Sequence, residues 1–221
     1  MGLVTMGFAA MTLYGFVGAG IQMVSHGVMT ALFFSVVGMV YDRAHTRNMD
    51  DLSGMRKALP FLVVPFIIGG LVSMGMPGLS GFIAEFPIVM GVWQGGGLSL
   101  ENTAFGLNPA NYYQLVAILS ALAIVITAAY ILRAVHKVFW GDYEGEKWHD
   151  MRPILPIDKL VVIMFCLILI IIGVIPSVIA PIVESGMIPV VQRIQEAQQA
   201  ATVIDTVHVA ATNLLSWLGG A

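Results

Sequence analysis

The sequence specifies an all-α, polytopic transmembrane helix bundle of about five crossings, one of them a discontinuous helix. Three observations carry that reading. The 221 residues are 58% hydrophobic and only 10% charged, with a mean hydropathy of +0.88, where a soluble domain carries about 25% charged residues. Five windows, 1–41, 58–84, 86–100, 102–132 and 160–183, hold no charge except where Glu85 and Glu101 divide them, and a helix needs about 20 predominantly apolar residues to cross a bilayer. The basic residues also alternate from one connecting region to the next. The same composition excludes other classes. Disorder needs low hydrophobicity and high charge, and a net charge of −3 leaves no basic footprint for nucleic acid. One cysteine, Cys166, in an apolar run gives neither a disulfide framework nor a cysteine metal cluster.

Taken in order, the first crossing runs from about Leu3 to Gly18 and the second from about Ile21 to Tyr41. The third apolar segment is 58–94, the fourth about 112–135 and the fifth about 160–183. Residues 1–186 thus form the transmembrane domain. The tail, 187–221, is weakly amphipathic, with Ile194, Ala197, Ala201 and Ile204 at helical spacing. It reads as a surface helix, with packing at the interface or on a partner as the other option. The N-terminus lacks the basic region of a signal peptide and starts directly in hydrophobic sequence, as an internal piece of a larger protein would.

Orientation follows from lysine and arginine, which favour the cytoplasmic side. Loop 42–57 holds Arg43, Arg47, Arg56 and Lys57, loop 95–111 holds none, segment 133–159 holds Arg133, Lys137, Lys147, Arg152 and Lys159, and the tail holds Arg193. Loops 42–57 and 133–159 are therefore expected on the cytoplasmic side. Tyr112, Tyr113, Trp140 and Trp148 flank crossings as interfacial aromatic belts do. The alternation also requires 58–94 to cross once, although it is far longer than one straight helix needs. The break that accommodates the extra length lies at Gly75-Met76-Pro77-Gly78-Leu79-Ser80-Gly81. Proline removes a backbone donor and glycine weakens a helix interior. Backbone groups freed at membrane depth must line a cavity or be buried in protein. Gly75, Pro77, Gly78 and Gly81 are the expected hinge, and discontinuous helices of this sort mark ion and proton sites.

Glu85 follows the break by about one turn and is the only acid inside an apolar segment. A charge at the bilayer centre costs roughly 2.5–3.5 kcal/mol on insertion scales. A carboxyl retained there suits a proton relay; the plainer reading is a group capping the second half-helix or reaching the membrane edge. His26, in Val24-Ser25-His26-Gly27, is the second candidate, because imidazole accepts and donates a proton in turn. Its plainer reading is a hydrogen bond between helices. His45, His136, His149 and His208 lie in loops, at a helix end or in the tail, and no HExxH or paired-His spacing indicates a metal site.

The run Ser25-His26-Gly27, Ala31-Leu32-Phe33, Gly38, Tyr41-Asp42-Arg43 and Thr46-Arg47, followed by Leu59-Pro60, Gly75-Met76-Pro77-Gly78, Gly81-Phe82 and Glu85-Phe86, resembles the antiporter-like proton-pumping subunits of respiratory complex I, the NADH:quinone oxidoreductase. The resemblance covers roughly 1–160 well and the rest loosely. It implies a fourteen-helix fold with two inverted repeats of five, of which this chain looks like the last five helices. It implies that His26 belongs to a chain of polar residues along the membrane midplane and that Glu85 is the terminal element near the proton exit. Glu85 stands where related subunits of the family carry a lysine.

By the same resemblance the chain is a non-redox, proton-translocating subunit. It carries no cofactor itself, with NADH, flavin, iron–sulfur clusters and quinone in partner subunits. Its expected partners are other membrane subunits, including the N-terminal half of the same subunit, and its expected place is the inner (plasma) membrane. The alternatives are a subunit of a cation/proton antiporter or of a membrane-bound hydrogenase, and a structural membrane fragment that conducts nothing.

Overall fold

The computed structural model describes residues 1–95, 109–142 and 151–218. Trp148, Lys147, His149 and most of loop 95–111 lie outside them. The chain opens with a short helix, α1 (Gly2–Ala9). Met11 then takes a positive φ of 52°, and Thr12 starts a new helix by accepting a hydrogen bond on Oγ1 from the Gly15 amide at 3.1 Å. That satisfies one of the amides that a helix start leaves orphaned. The helix, α2 (Leu13–Ala44), runs 32 residues without interruption, about 48 Å at 1.5 Å per residue. It ends at His45, whose left-handed φ of 53° terminates the helix.

Separate helices over 3–18 and 21–41 are therefore not what forms. The boundary lies at 10–12, and Gly18 and Gly20 sit inside α2. Glycines in membrane helices let backbones approach, and these two do so. A Cβ on Gly18 would lie 2.8 Å from the Ala84 carbonyl oxygen and 2.8 Å from the Ile88 nitrogen, and one on Gly20 would lie 2.5 Å from Val183.

A single turn, α3 (Met55–Ala58), leads into α4 (Pro60–Ser73), which has proline in its first turn. After a six-residue interruption comes α5 (Ser80–Trp93). Each half is 14 residues long, about 21 Å and too short to span alone. Together they are long enough to cross once, the arrangement that the charge alternation calls for. Gly69 of α4 packs against Phe33 in the C-terminal half of α2, whereas Gly91 of α5 packs against Gly15 and Thr12 at its N-terminal end.

The next helix, α6 (Pro109–Phe139), contains the expected 112–135 segment. Helix α7 (Pro156–Val174) begins before the expected fifth crossing and stops well short of 183. The cause is Pro176, which cannot continue the helix and opens a 3₁₀ turn, Pro176–Val178. The last helix, α8 (Ala180–Leu218), starts ahead of residue 187 and merges the end of the fifth segment with the tail. Its start packs on α2 through Val183, Met187 and Gly20. Of the expected stripe, Ile194 is half-buried, while Ala197, Ala201 and Ile204 are exposed.

Among the described residues, α2, α6 and α7 are long and apolar enough to cross a membrane, and α4 and α5 are shorter apolar helices. Eight residues of α1 do not span. Large apolar side chains remain exposed on the outer faces, among them Leu119, Leu122, Val125 and Ile126 on α6 and Leu160, Met164 and Leu167 on α7. Apolar patches of that extent mark lipid or a partner helix. The inner faces share a core built from Leu32 and Val36 of α2, Leu62 and Val72 of α4, Phe139 of α6 and Val162 and Leu169 of α7.

Loop 42–57 and the described parts of 133–159 meet at one end of the bundle. Arg43 gathers that end. Its guanidinium donates to the carbonyls of Met39 (2.8 Å), Arg152 (3.0 Å) and Pro153 (3.2 Å) and lies 3.5 Å from the Asp158 carboxylate. Lys137 pairs with Asp50, and Arg56 lies over the Trp140 ring. Arg43, Arg56, Lys137 and Arg152 thus lie at this end of the bundle.

Candidate proton-relay cavity

The break in the third segment is a helix C-terminus followed by a helix N-terminus. At the end of α4 the Met76 amide donates to the Leu71 carbonyl at 3.0 Å and the Gly75 amide to the Val72 carbonyl at 3.1 Å. This is the paired closure of a Schellman motif, which places a left-handed residue after the cap. Gly75 fills that position with φ of 63°, and Gly78 repeats the left-handed geometry at 89°. Pro77 between them prevents the helix from resuming. Gly81 is in the first turn of α5 rather than in the break, and a Cβ there would collide with the Val72 carbonyl oxygen. Its small size lets the two half-helices touch. Gly173 of α7 lies against Gly78 and Leu79 in the same close manner.

Against this break lies a cavity of about 220 Å³. Helix α2 contributes Gln22, Ser25, His26 and Met29, positions i, i+3, i+4 and i+7 on one face. Val72 and Ser73 come from the end of α4, Gly81 and Glu85 from the start of α5, and Thr127 and Tyr130 from α6; Met1 and Leu3 complete the lining. Glu85 and His26 thus share one cavity, joined through it and not by a direct hydrogen bond.

Glu85 is only 7% exposed. Its Oε1 accepts from Gln22 Nε2 at 3.4 Å. Its Oε2 sits so close to the break that a Cβ on Gly75 would lie 2.5 Å from it. Glu85 Oε2 and Gln22 Oε1 have no hydrogen-bond partner among the described residues. Buried polar atoms are normally satisfied by protein or water, and this cavity is polar and roomy enough to admit water. Beside it the hydroxyls of Ser25 and Ser80 share a buried hydrogen bond of 2.8 Å that ties α2 to the start of α5.

Sequence reasoning singled out Glu85 and His26 and missed Gln22, Ser73, Thr127 and Tyr130. The signal for Gln22 was available: it is the one amide in residues 1–41 and lies four residues before His26. Thr127 and Tyr130 are three apart in α6, but nothing in a single sequence says which helix faces the break. Among the described residues no three His, Cys, Asp or Glu side chains come together as a metal group would require.

Gly75→Ala is expected to leave the bundle assembled, because forcing an L-residue into the left-handed region costs only about 1–2 kcal/mol. The added methyl displaces the Glu85 carboxyl from its seat. Proton translocation by membrane vesicles should fall while the amount of subunit in the membrane, read by immunoblot, stays near wild type. Equal translocation in the two proteins would show that the seat does not matter.

The fold and the cavity are those expected of an antiporter-like membrane subunit. Residues 1–108, which hold every wall of the cavity except that of α6, match the family described as NADH:quinone oxidoreductase/Mrp antiporter, transmembrane region. The similarity then continues beyond that stretch to particular members. NAD(P)H-quinone oxidoreductase chain 4 1 of Synechococcus sp. (strain JA-3-3Ab) is 33% identical over 183 residues, 79% of this chain and 31% of the relative. The chloroplastic chain 4 of Chlorokybus atmophyticus is 30% identical over 200 residues, 90% of this chain and 37% of the relative. The chain therefore spans about a third of the length of these relatives. A chain of respiratory complex I from Thermus thermophilus shares the fold, with a TM-score of 0.67 at 24% identity, over 83% of this chain and 36% of that one.

Proposed function

We propose that the chain is part of a non-redox, proton-translocating membrane subunit of an NAD(P)H- or NADH:quinone oxidoreductase, and that its cavity forms the exit half of a proton path. The observation that carries this reading is that a buried carboxyl on a broken helix and an imidazole on the facing helix open into one polar cavity. Proton transfer needs groups that gain and lose a proton within hydrogen-bond reach or through water. His26 takes the proton from the interior side, waters and the hydroxyls of Thr127 and Tyr130 conduct it across the cavity, and Glu85 releases it. The break supplies what a continuous helix does not, since its two ends leave backbone groups and space beside the carboxyl at membrane depth.

On this reading the electrons move elsewhere. NADH, flavin, iron–sulfur clusters and quinone belong to partner subunits, and the coupling signal reaches this chain through neighbouring membrane subunits and the remainder of its own subunit. Loops 42–57 and 133–159 face the cytoplasm, and the membrane is the inner (plasma) membrane. A second reading, a cation/proton antiporter subunit, is favoured by the breadth of the matching family, whose description covers both classes. Deleting the gene separates the two. Membranes of the deletion strain should lose quinone-linked, NAD(P)H-driven proton uptake, and the restored gene should return it. Retained uptake together with a new sensitivity to sodium would instead support the antiporter.

A further inference from the structure

Gln22 is as deeply buried as Glu85, at 7% exposure, and among the described residues is its one hydrogen-bond partner. The two side chains also own the two buried oxygens of the site that have no partner among the described residues, Gln22 Oε1 and Glu85 Oε2. An ionised carboxylate only accepts hydrogen bonds, whereas a protonated carboxyl must also donate one. A primary amide carries a donor end and an acceptor end, which exchange places when the group rotates by half a turn. In the arrangement observed, the amide nitrogen faces Oε1 at 3.4 Å, which suits the ionised carboxylate. Rotation would present the Gln22 oxygen to the same point and accept the proton of the neutral form.

The neighbouring groups offer no substitute. The Ser25 and Ser80 hydroxyls are committed to each other, and the break behind Oε2 presents Gly75, which has no side chain. The Met1 amino group, His26 and Tyr130 are the other titratable groups on the cavity wall, and among the described residues none of them hydrogen-bonds to the carboxyl.

We propose that Gln22 is a positioning residue that holds Glu85 in both of its protonation states by turning its amide over, so that the carboxyl keeps its place while the proton comes and goes. The inference rests on the reading of Glu85 as the proton-bearing group.

The test uses the intact complex in native membranes, with two readouts: proton translocation, and the infrared carbonyl band of protonated Glu85, identified as the band that Glu85→Gln removes. Gln22→Met keeps the length of the side chain without its amide. It should assemble and reduce quinone normally, displace the band, and translocate about tenfold more slowly, the effect of losing one hydrogen bond to a charged group. Gln22→Asn keeps the amide on a stem one methylene shorter and should fall between Gln22→Met and wild type in both readouts. Wild-type translocation with an unmoved band in Gln22→Met, or equal losses in the two variants, overturns the assignment. Should Gln22→Met not assemble, Gln22→Asn decides through the band alone: displacement supports the role and an unmoved band overturns it. Unchanged translocation in Glu85→Gln would instead remove the reading underneath, whatever Gln22 does.

Discussion

Glu85→Gln should abolish proton translocation through this subunit while leaving quinone reduction and assembly intact. The substitution is nearly isosteric. The glutamine oxygen still accepts from Gln22 Nε2, and the new amide nitrogen occupies the place of Oε2 beside Gly75. The contacts with Gln22 and Gly75 are therefore kept, and a volume-conserving swap of this kind costs roughly 1 kcal/mol or less. What disappears is the group that takes up and releases the proton. Removing a positioned acid–base group slows proton transfer by about 10²–10⁴-fold, so turnover of this path becomes negligible beside electron transfer. The protons moved per electron, measured in inverted vesicles, should fall by this subunit's share. His26→Ala should produce a smaller loss, because a water in the enlarged cavity bridges part of the gap. A ratio equal to wild type in His26→Ala would reduce that residue to packing.

Gly18→Leu should remove the subunit from the membrane altogether. Its Cβ alone would fall 2.8 Å from the Ala84 carbonyl oxygen, the Ile88 nitrogen and Ile88 Cγ1. Two of those atoms are backbone and cannot rotate aside. The same seam contains Gly15 against Gly91, where a Cβ on Gly91 would meet the Gly15 nitrogen at 2.5 Å. Helices α2 and α5 must then separate along their shared length, exposing the buried Ala84, Ile88 and Val92 and pulling Gln22 away from Glu85. Overpacking ordinarily costs about 1–3 kcal/mol. A clash with backbone on a seam of small residues belongs to the exceptional class above about 4 kcal/mol. Immunoblots of isolated membranes should show little or no subunit in Gly18→Leu and an intermediate amount in Gly18→Ala. Normal amounts of Gly18→Leu would mean that the two helices do not meet as closely as described.

The class of fold was legible because the bilayer is a demanding solvent. Few charges, their confinement to connecting regions and the alternation of Lys and Arg leave little besides a helix bundle, and they require 58–94 to cross once. The break was legible because Gly75, Pro77 and Gly78 are residues with fixed conformational preferences. Helix ends that depend on tertiary packing were not. Gly18 and Gly20 are equally good as helix breakers and as contact points, and only the position of α5 and α8 decides between these roles. The real boundary at Met11 and Thr12 has no proline or glycine to announce it. Pro176 was a local signal against a fifth helix reaching 183, outweighed by the unbroken hydrophobicity around it. At the site, Glu85 and His26 stood out as ionisable groups in apolar surroundings. Gln22, Thr127 and Tyr130 did not, since neutral polar residues are common in membrane helices and their meaning comes from the cavity they share.

The central claim is that Glu85 gains and loses a proton while the complex turns over, and infrared difference spectroscopy of the intact complex, stepped between reduced and oxidised states, measures this directly. A carboxyl carbonyl band that rises and falls with the step, shifts in heavy water and is missing from Glu85→Gln is the expected result. Identical difference spectra for wild type and Glu85→Gln would contradict the claim and leave Glu85 as a structural group at the start of a half-helix.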